Sequence, residues 1–166
     1  MKKFQIGDIN ISALRYLDDM SVLCIAMYNG DIQMFDYYKH TIRATFTGHK
    51  NGIVVDLHWS FFGKYICSVG DRKVLIWDAF NAEVMNSLEG LTAPAVAVCI
   101  ADTEKKLFVG AVDKTVRIWQ SITFELLQGM CAFCFHMLVC MCVKICSTFS
   151  FNTSHFCILR YGMKLS

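Results

Sequence analysis

Three times in this chain a turn-forming residue stands six places before a large aromatic, and the three instances lie 42 residues apart. They are Asn29 before Phe35 in MYNGDIQMFD, Asp71 before Trp77 in VGDRKVLIWD, and Asp113 before Trp119 in AVDKTVRIWQ. Other columns keep the same step: Met34, Ile76 and Ile118; Ile32, Val74 and Val116; Ile25, Cys67 and Val109; Leu23, Tyr65 and Leu107. A self-similarity of this period marks a repeat architecture, in which one supersecondary unit recurs because it cannot bury its own faces alone. Residues 4–129 read as three copies of one 42-residue unit.

Inside each unit the sequence is strand-like. IVVDLHW, KYICSV and KVLIWD are short, rich in β-branched and aromatic residues, and bounded by Gly, Asn, Asp and Ser. Asn29-Gly30 is a strong hairpin signal, since both residues tolerate positive φ in a tight turn. Gly70-Asp71 and Asp113-Lys114 mark the same turn in the next two copies. The pattern predicts four strands per unit: 4–6, 10–16, 21–28 and 31–37; then 42–46, 53–59, 64–69 and 73–78; then 83–88, 95–101, 106–111 and 114–119. A further strand at 122–127 would open the next unit. Four short strands in about 40–45 residues is the pattern of a propeller blade. The acid closes a hairpin, and the aromatic on the returning strand packs against the neighbouring blade.

Gly48-His49, Asp71 and Trp77-Asp78 together resemble the signature of the WD-repeat β-propellers. The resemblance implies an all-β fold, an incomplete propeller of about three four-stranded blades. It also implies a buried tetrad of His, turn Asp, strand hydroxyl and Trp. In the second copy His49, Asp71 and Trp77 match, while Cys67 occupies the expected hydroxyl position and leaves the tetrad incomplete. In the third, Asp113 and Trp119 match, with Leu91 in place of the His and Gln120 in place of the final Asp. The first keeps Phe35-Asp36 and has no His. On this reading residues 1–40 are a degenerate repeat, 41–82 the best-matched one, and 83–130 another degenerate one. Gly48, His49, Asp71, Trp77, Asp78, Asp113 and Trp119 are expected to be structural: a satisfied histidine, turn acids and core tryptophans, paired as buried fasteners.

Composition changes near Met130. Residues 1–130 carry all 14 acids and 13 of the 16 basic residues, whereas 131–166 carry no acid, three basic residues and six of the nine cysteines. This apolar, Cys-rich, non-repeat tail admits four readings. It could be an unrelated terminus of an alternative isoform, or a degenerate fourth blade with Tyr161 in the aromatic column and His155 at the turn. It could be a membrane segment, though the run from Met130 to Val143 is 14 residues and a span needs about 20. Or it could be a thiol or zinc site built from Cys131, Cys134, Cys140, Cys142 and Cys146 with His136, whose spacing is not a clean pair of C-x-x-C knuckles.

Signals for chemistry are sparse. There is no phosphate-binding G-x-x-x-x-G-K, no G-x-S-x-G and no H-E-x-x-H. Asp18-Asp19 are adjacent, so their carboxylates diverge; Lys105-Lys106 and Arg72-Lys73 are isolated basic pairs, and a net charge of +2 gives no nucleic-acid footprint. No secretory apolar run follows the first lysines, so an intracellular, cytoplasmic chain without disulfide architecture is expected. The expectation is a non-enzymatic protein-interaction scaffold without cofactor or metal, binding protein partners rather than nucleic acid or membrane. The alternatives are a metal- or thiol-dependent role of the tail, or a truncated isoform without independent function. Closed propellers have about 4–8 blades. Open faces of on the order of 500 Å² would forgo roughly 12 kcal/mol of burial, comparable with a domain's whole stability of about 5–15 kcal/mol. Another chain, self-association or chaperones are therefore expected to cover them.

Overall fold

The computed structural model describes residues 8–49, 52–70 and 72–131. Among these residues, twelve strands form three four-stranded antiparallel sheets. The first sheet contains β1 (Ile11–Leu17), β2 (Val22–Met27), β3 (Asp31–Asp36) and β4 (Thr41–Thr47). The second contains β5 (Asp56–Ser60), β6 (Tyr65–Gly70), β7 (Lys73–Asp78) and β8 (Val84–Leu88). The third contains β9 (Ala95–Ala101), β10 (Lys106–Ala111), β11 (Thr115–Gln120) and β12 (Leu126–Cys131), with a short 3₁₀ turn at Asp102–Glu104. Each sheet is a meander, as expected of sequential strands joined by short turns. The described residues are thus all-β, with three four-stranded blades.

The blades are cut one strand later than the sequence units. The strand expected to open each unit pairs instead with the preceding sheet: β4 lies along β3, β8 along β7, and β12 along β11. The long connections, at 48–55 and 89–94, are the ones that carry the chain from sheet to sheet. The expected strand at 4–6 and the four readings of the tail beyond Cys131 lie outside the described residues.

Two apolar layers join the sheets. Leu17, Val22, Cys24, Ile32, Met34 and Phe46 of the first sheet meet Leu57, Ile66, Leu75 and Trp77 of the second. Tyr65, Cys67, Val69, Val74 and Ile76 of the second meet Val98, Ile100, Leu107, Val109 and Trp119 of the third. Fully burying one such aliphatic or aromatic side chain contributes ~1.5–3 kcal/mol. Phe46 also meets Trp77 edge-on, with ring centroids 5.6 Å apart, a geometry that adds ~0.5–1.5 kcal/mol beyond burial. On the face of the first sheet turned away from the second, Ile11, Leu14, Tyr16 and Ile42 each remain about half exposed.

Polar bonds cross the same interfaces. Arg15 Nε donates to the Leu57 carbonyl at 3.0 Å, Val98 N to Asp56 Oδ2 at 3.0 Å, and Ser60 Oγ to Asp102 Oδ1 at 2.6 Å. Each of these pairs is separated by 42 residues. The period therefore measures the step from one blade to the matching face of the next.

Candidate functional site

The most conspicuous polar site is buried between the first two blades. His49, 3% exposed, directs Nε2 at Ser68 Oγ at 2.7 Å, and Trp77 Nε1 donates to the same oxygen at 2.7 Å. An indole N–H can only donate, so the serine oxygen accepts from Trp77, and its own O–H is available to His49 Nε2. Gly48 leaves room for this arrangement: a Cβ there would lie 2.6 Å from the edge of the Trp77 ring. Ser68 and Trp77 are both buried, so the group works as an internal fastener between the connection that follows β4 and strands β6 and β7.

The hydroxyl comes from Ser68 and not from the expected Cys67. In the first and third blades Leu23 pairs with Phe35 and Leu107 with Trp119, but in the second Ile66, not Tyr65, pairs with Trp77. The cause is hairpin length. The pairs Ala26↔Ile32 and Gly110↔Val116 enclose five residues, whereas Val69↔Val74 encloses four. β6 is consequently advanced by one residue, and β5 advances with it, since Trp59 pairs with Ile66 where Ile100 pairs with Leu107. A one-residue slip exchanges the two faces of a strand. Ser68 turns to Trp77, and Cys67 turns into the apolar layer against the third blade.

The position after each aromatic has a second, repeated role. Asp36 Oδ1 accepts from the backbone N–H of Tyr38 and Lys39 at 3.1 and 2.9 Å, and Asp78 Oδ1 from Phe80 and Asn81 at 2.7 and 3.1 Å. Gln120, read from sequence as a departure, does the same work: its Oε1 accepts from Ile122 and from Thr123. Each turn ends on a positive-φ residue, His40, Ala82 or Phe124. The backbone bond from Lys39, ahead of the one from Tyr38, holds the Asp36 carboxyl below the ordinary carboxylate range against the opposing effect of desolvation.

Asp113 is a turn acid with a larger network. Its Oδ1 accepts from Thr115 Oγ1 at 2.6 Å and Thr115 N at 3.0 Å, and its Oδ2 from Thr92 Oγ1 at 2.8 Å. The Thr115 hydroxyl, then the Thr92 hydroxyl, hold its carboxyl below the usual range. Trp119 is fully buried in the layer against the second blade. Leu91, in the place of the histidine, packs against the same layer, and Val109 stands where Ser68 stands in the second blade. Both polar partners are replaced together, the exchange that leaves no orphaned group behind. Asp71 lies outside the described residues, so of the seven expected positions the structure brings together Gly48, His49 and Trp77, with Asp78 at the adjoining turn.

The remaining buried and half-buried titratable groups are poorly suited to chemistry. Burial pushes the Cys24 thiol up to about 12 and the Cys67 thiol well above its usual value, so neither is a thiolate at neutral pH. Burial, and then the positive charge of Arg15, push His58 down to about 3. Among the described residues, no three His, Cys, Asp or Glu side chains converge as a metal-holding group, and no helix is long and apolar enough to cross a membrane. Of the cysteine and histidine set proposed for the tail, only Cys131 is among the described residues.

Three consecutive meander blades, joined face to face at a fixed residue step and fastened by a His–Ser–Trp group, define a β-propeller segment. The pattern of the family described as WD domain, G-beta repeat matches residues 40–78 and 83–120, so these two stretches are WD repeats. Among solved structures, the WD40 repeats of RRP9 superpose with a TM-score of 0.68 at 18% identity, over 76% of this chain and 40% of that one. U3-55K gives 0.69 at 17%, again over 76% and 40%, and the computationally designed Ika8 protein 0.64 at 22%, over 72% and 36%. At these identities the likeness is one of fold. The chain spans about two fifths of the length of these structures. No curated protein matches it in sequence.

Proposed function

We propose that this chain is a non-catalytic, intracellular scaffold that presents the turns and connections of its WD-repeat blades to protein partners. The repeats and the propeller neighbours support an interaction role in general terms. The observation that carries the non-catalytic reading is how the candidate polar groups are used. The serine beside His49 is shared with Trp77, and the carboxylates of Asp36, Asp78 and Asp113 are occupied by backbone and hydroxyl donors of their own turns. We assign Gly48, His49, Asp71, Trp77, Asp78, Asp113 and Trp119 structural roles, within repeats at 1–40, 41–82 and 83–130. Half-exposed apolar residues on the outer face of the first blade support the further reading that another chain or a second copy covers it.

Proximity labelling in cells tests the scaffold reading. The parent chain is compared with Gly30→Ala, which breaks the fold. Gly30 has φ 88°, and a Cβ there would drive into the carbonyl oxygen of His49. A reproducible set of labelled proteins that disappears with Gly30→Ala is expected. Identical labelling by the two chains overturns the reading.

A further inference from the structure

The third blade has an apolar face with no described layer over it. Cys99 of β9, Phe108 of β10 and Ile118 of β11 lie on one rung of cross-strand pairs, and Val116 lies two residues along, opposite Gly110. With Ala101 they pack as one cluster, and all of its members come from this one sheet. The alternate residues Val98, Ile100, Leu107, Val109 and Trp119 point the other way, into the layer against the second blade. By its place in the repeat this is a junction face. Cys24, Ile32 and Met34, which meet the second blade, stand two steps of 42 before Phe108, Val116 and Ile118.

Yet this face is covered. Cys99, Phe108 and Val116 are only 4%, 7% and 8% exposed, and a sheet hides a face only by packing a second layer on it. The burial is reached within one chain. Among the described residues, only those of β9, β10 and β11 belong to the cluster, so the cover comes from elsewhere in the chain. Residues 1–7 lead into the first sheet, 50–51 lie in the connection to the second, and 71 lies in the second sheet's hairpin. Residues 132–166 follow directly from Cys131 at the end of β12, the outer strand of this same sheet. Their sequence suits the position. At the two junctions present, the inner strand of the later blade brings apolar side chains to the earlier one: Leu57 of β5, then Val98 and Ile100 of β9. One further step of 42 carries β9 (Ala95–Ala101) to 137–143, MLVCMCV, apolar at every position. A strand buried on both faces reads as such a continuous run. Five residues, AFCFH, connect it to β12, against six between β8 and β9.

We propose that residues 137–143 dock on this face as the inner strand of a following blade would, so that the chain caps its own third blade. Repeat stacks need such a cap where the series ends. The inference goes beyond the scaffold reading and restricts it: the outer face of the first blade is left for a partner, and that of the third is not. It also assigns the first apolar run of the tail to packing within the chain. Cys140 and Cys142 take the places of Val98 and Ile100, in an apolar layer and not around a metal ion.

Thiol alkylation of the full chain, mapped peptide by peptide by mass spectrometry, tests this. Each layer holds its own reporter: Cys24 between the first and second blades, Cys67 between the second and third, and Cys99 on the third blade's outer face. In the parent all three react slowly with iodoacetamide. In Val139→Asp/Cys140→Asp the two consecutive carboxylates put one charge on each face of the strand, so one meets the third blade in either register. Cys99 is expected to react at least ~10-fold faster in this variant while Cys24 and Cys67 keep the parent rates, as for a local opening. Equal Cys99 rates in parent and variant overturn the proposal, as does a parent Cys99 that reacts as fast as in urea. So does protection of the parent Cys99 that is lost on dilution from about 50 to about 0.5 μM, which assigns the cover to a second copy. If all three thiols open together, the milder Val139→Ala/Cys140→Ala decides: Cys99 gains at least ~3-fold over Cys67, and equal gains overturn the assignment. Proximity labelling that is lost with Gly30→Ala supports the scaffold reading whichever way Cys99 behaves.

Discussion

Ser68→Ala removes one oxygen and strands two ring nitrogens. Trp77 Nε1 loses its acceptor and His49 Nε2 its partner, both originally 2.7 Å away and both on rings that are at most 3% exposed. Leaving one buried polar group unsatisfied costs about 1–3 kcal/mol. Two such groups, with the methyl-sized space partly closing around them, give an expected loss of about 3 kcal/mol, or a fall in Tm of about 10 °C for a unit of this size. Urea unfolding followed by tryptophan fluorescence reads the effect. The same substitution in a Trp77→Phe background, which has no N–H to strand, costs less by at least ~1 kcal/mol. Cys67→Ser is the discriminating partner, because that thiol faces an apolar layer with Val69, Val74 and Ile76. A hydroxyl there finds no tetrad and lowers stability by ~1–3 kcal/mol. If Ser68→Ala lies within about 0.5 kcal/mol of the parent, or if Cys67→Ser stabilises the chain, the register slip and the fastener built on it are wrong.

Four further outcomes are expected. Lys114 has φ 62°, so Lys114→Gly relieves left-handed strain and raises stability by about 1 kcal/mol, seen as a higher urea midpoint. Gly30→Ala combines positive φ with a clash on His49 and costs more than ~4 kcal/mol, read as loss of soluble yield. Gln120→Ala frees two turn N–H groups and costs about 1 kcal/mol, while Gln120→Asp, like Asp36 and Asp78, retains their acceptor; thermal melts separate the two. His58 is pushed down to about 3 when folded, so the unfolded chain binds the proton first as pH falls below about 6.5. Stability is full above that pH and declines towards 3, by up to roughly 3 kcal/mol after allowing for partial exposure. His58→Gln flattens this part of the pH–stability curve, and an unchanged slope refutes the assignment.

The repeat made the fold legible because turn acids and aromatics are chosen by local geometry, which each blade must satisfy alone. Asn29, Asp113, Phe35, Trp77 and Trp119 announce strands and their turns wherever the neighbours are. The phase of the repeat was not legible. A string of equivalent strands can be divided before or after any one of them, and only the pairing of β4 with β3 places the boundary. Gln120 was undervalued for a chemical reason, since an amide oxygen accepts two backbone N–H groups as a carboxylate oxygen does. An exposed column, Tyr38, Phe80 and Ile122, keeps the same step of 42. Sequence does not set it apart, because an apolar column in a repeat protein is ordinarily a core column.

The slip of the β5–β6 hairpin was hidden by compensation. The second blade has one residue fewer within its β6–β7 hairpin, and β5 starts correspondingly later, so the 42-residue step to Trp119 is undisturbed. Counting along the chain therefore aligns Cys67 with Ile25 and Val109, while counting across the ladder aligns Ser68 with them. The ladder decides, because which residue faces Trp77 depends on cross-strand pairing and not on distance along the chain. The same reasoning explains why the fastener occurs once among the described blades. His49 and Ser68 require each other as well as Trp77, and a blade that loses both, as at Leu91 and Val109, keeps an apolar interface at little cost. A blade that lost only one would carry a stranded polar group.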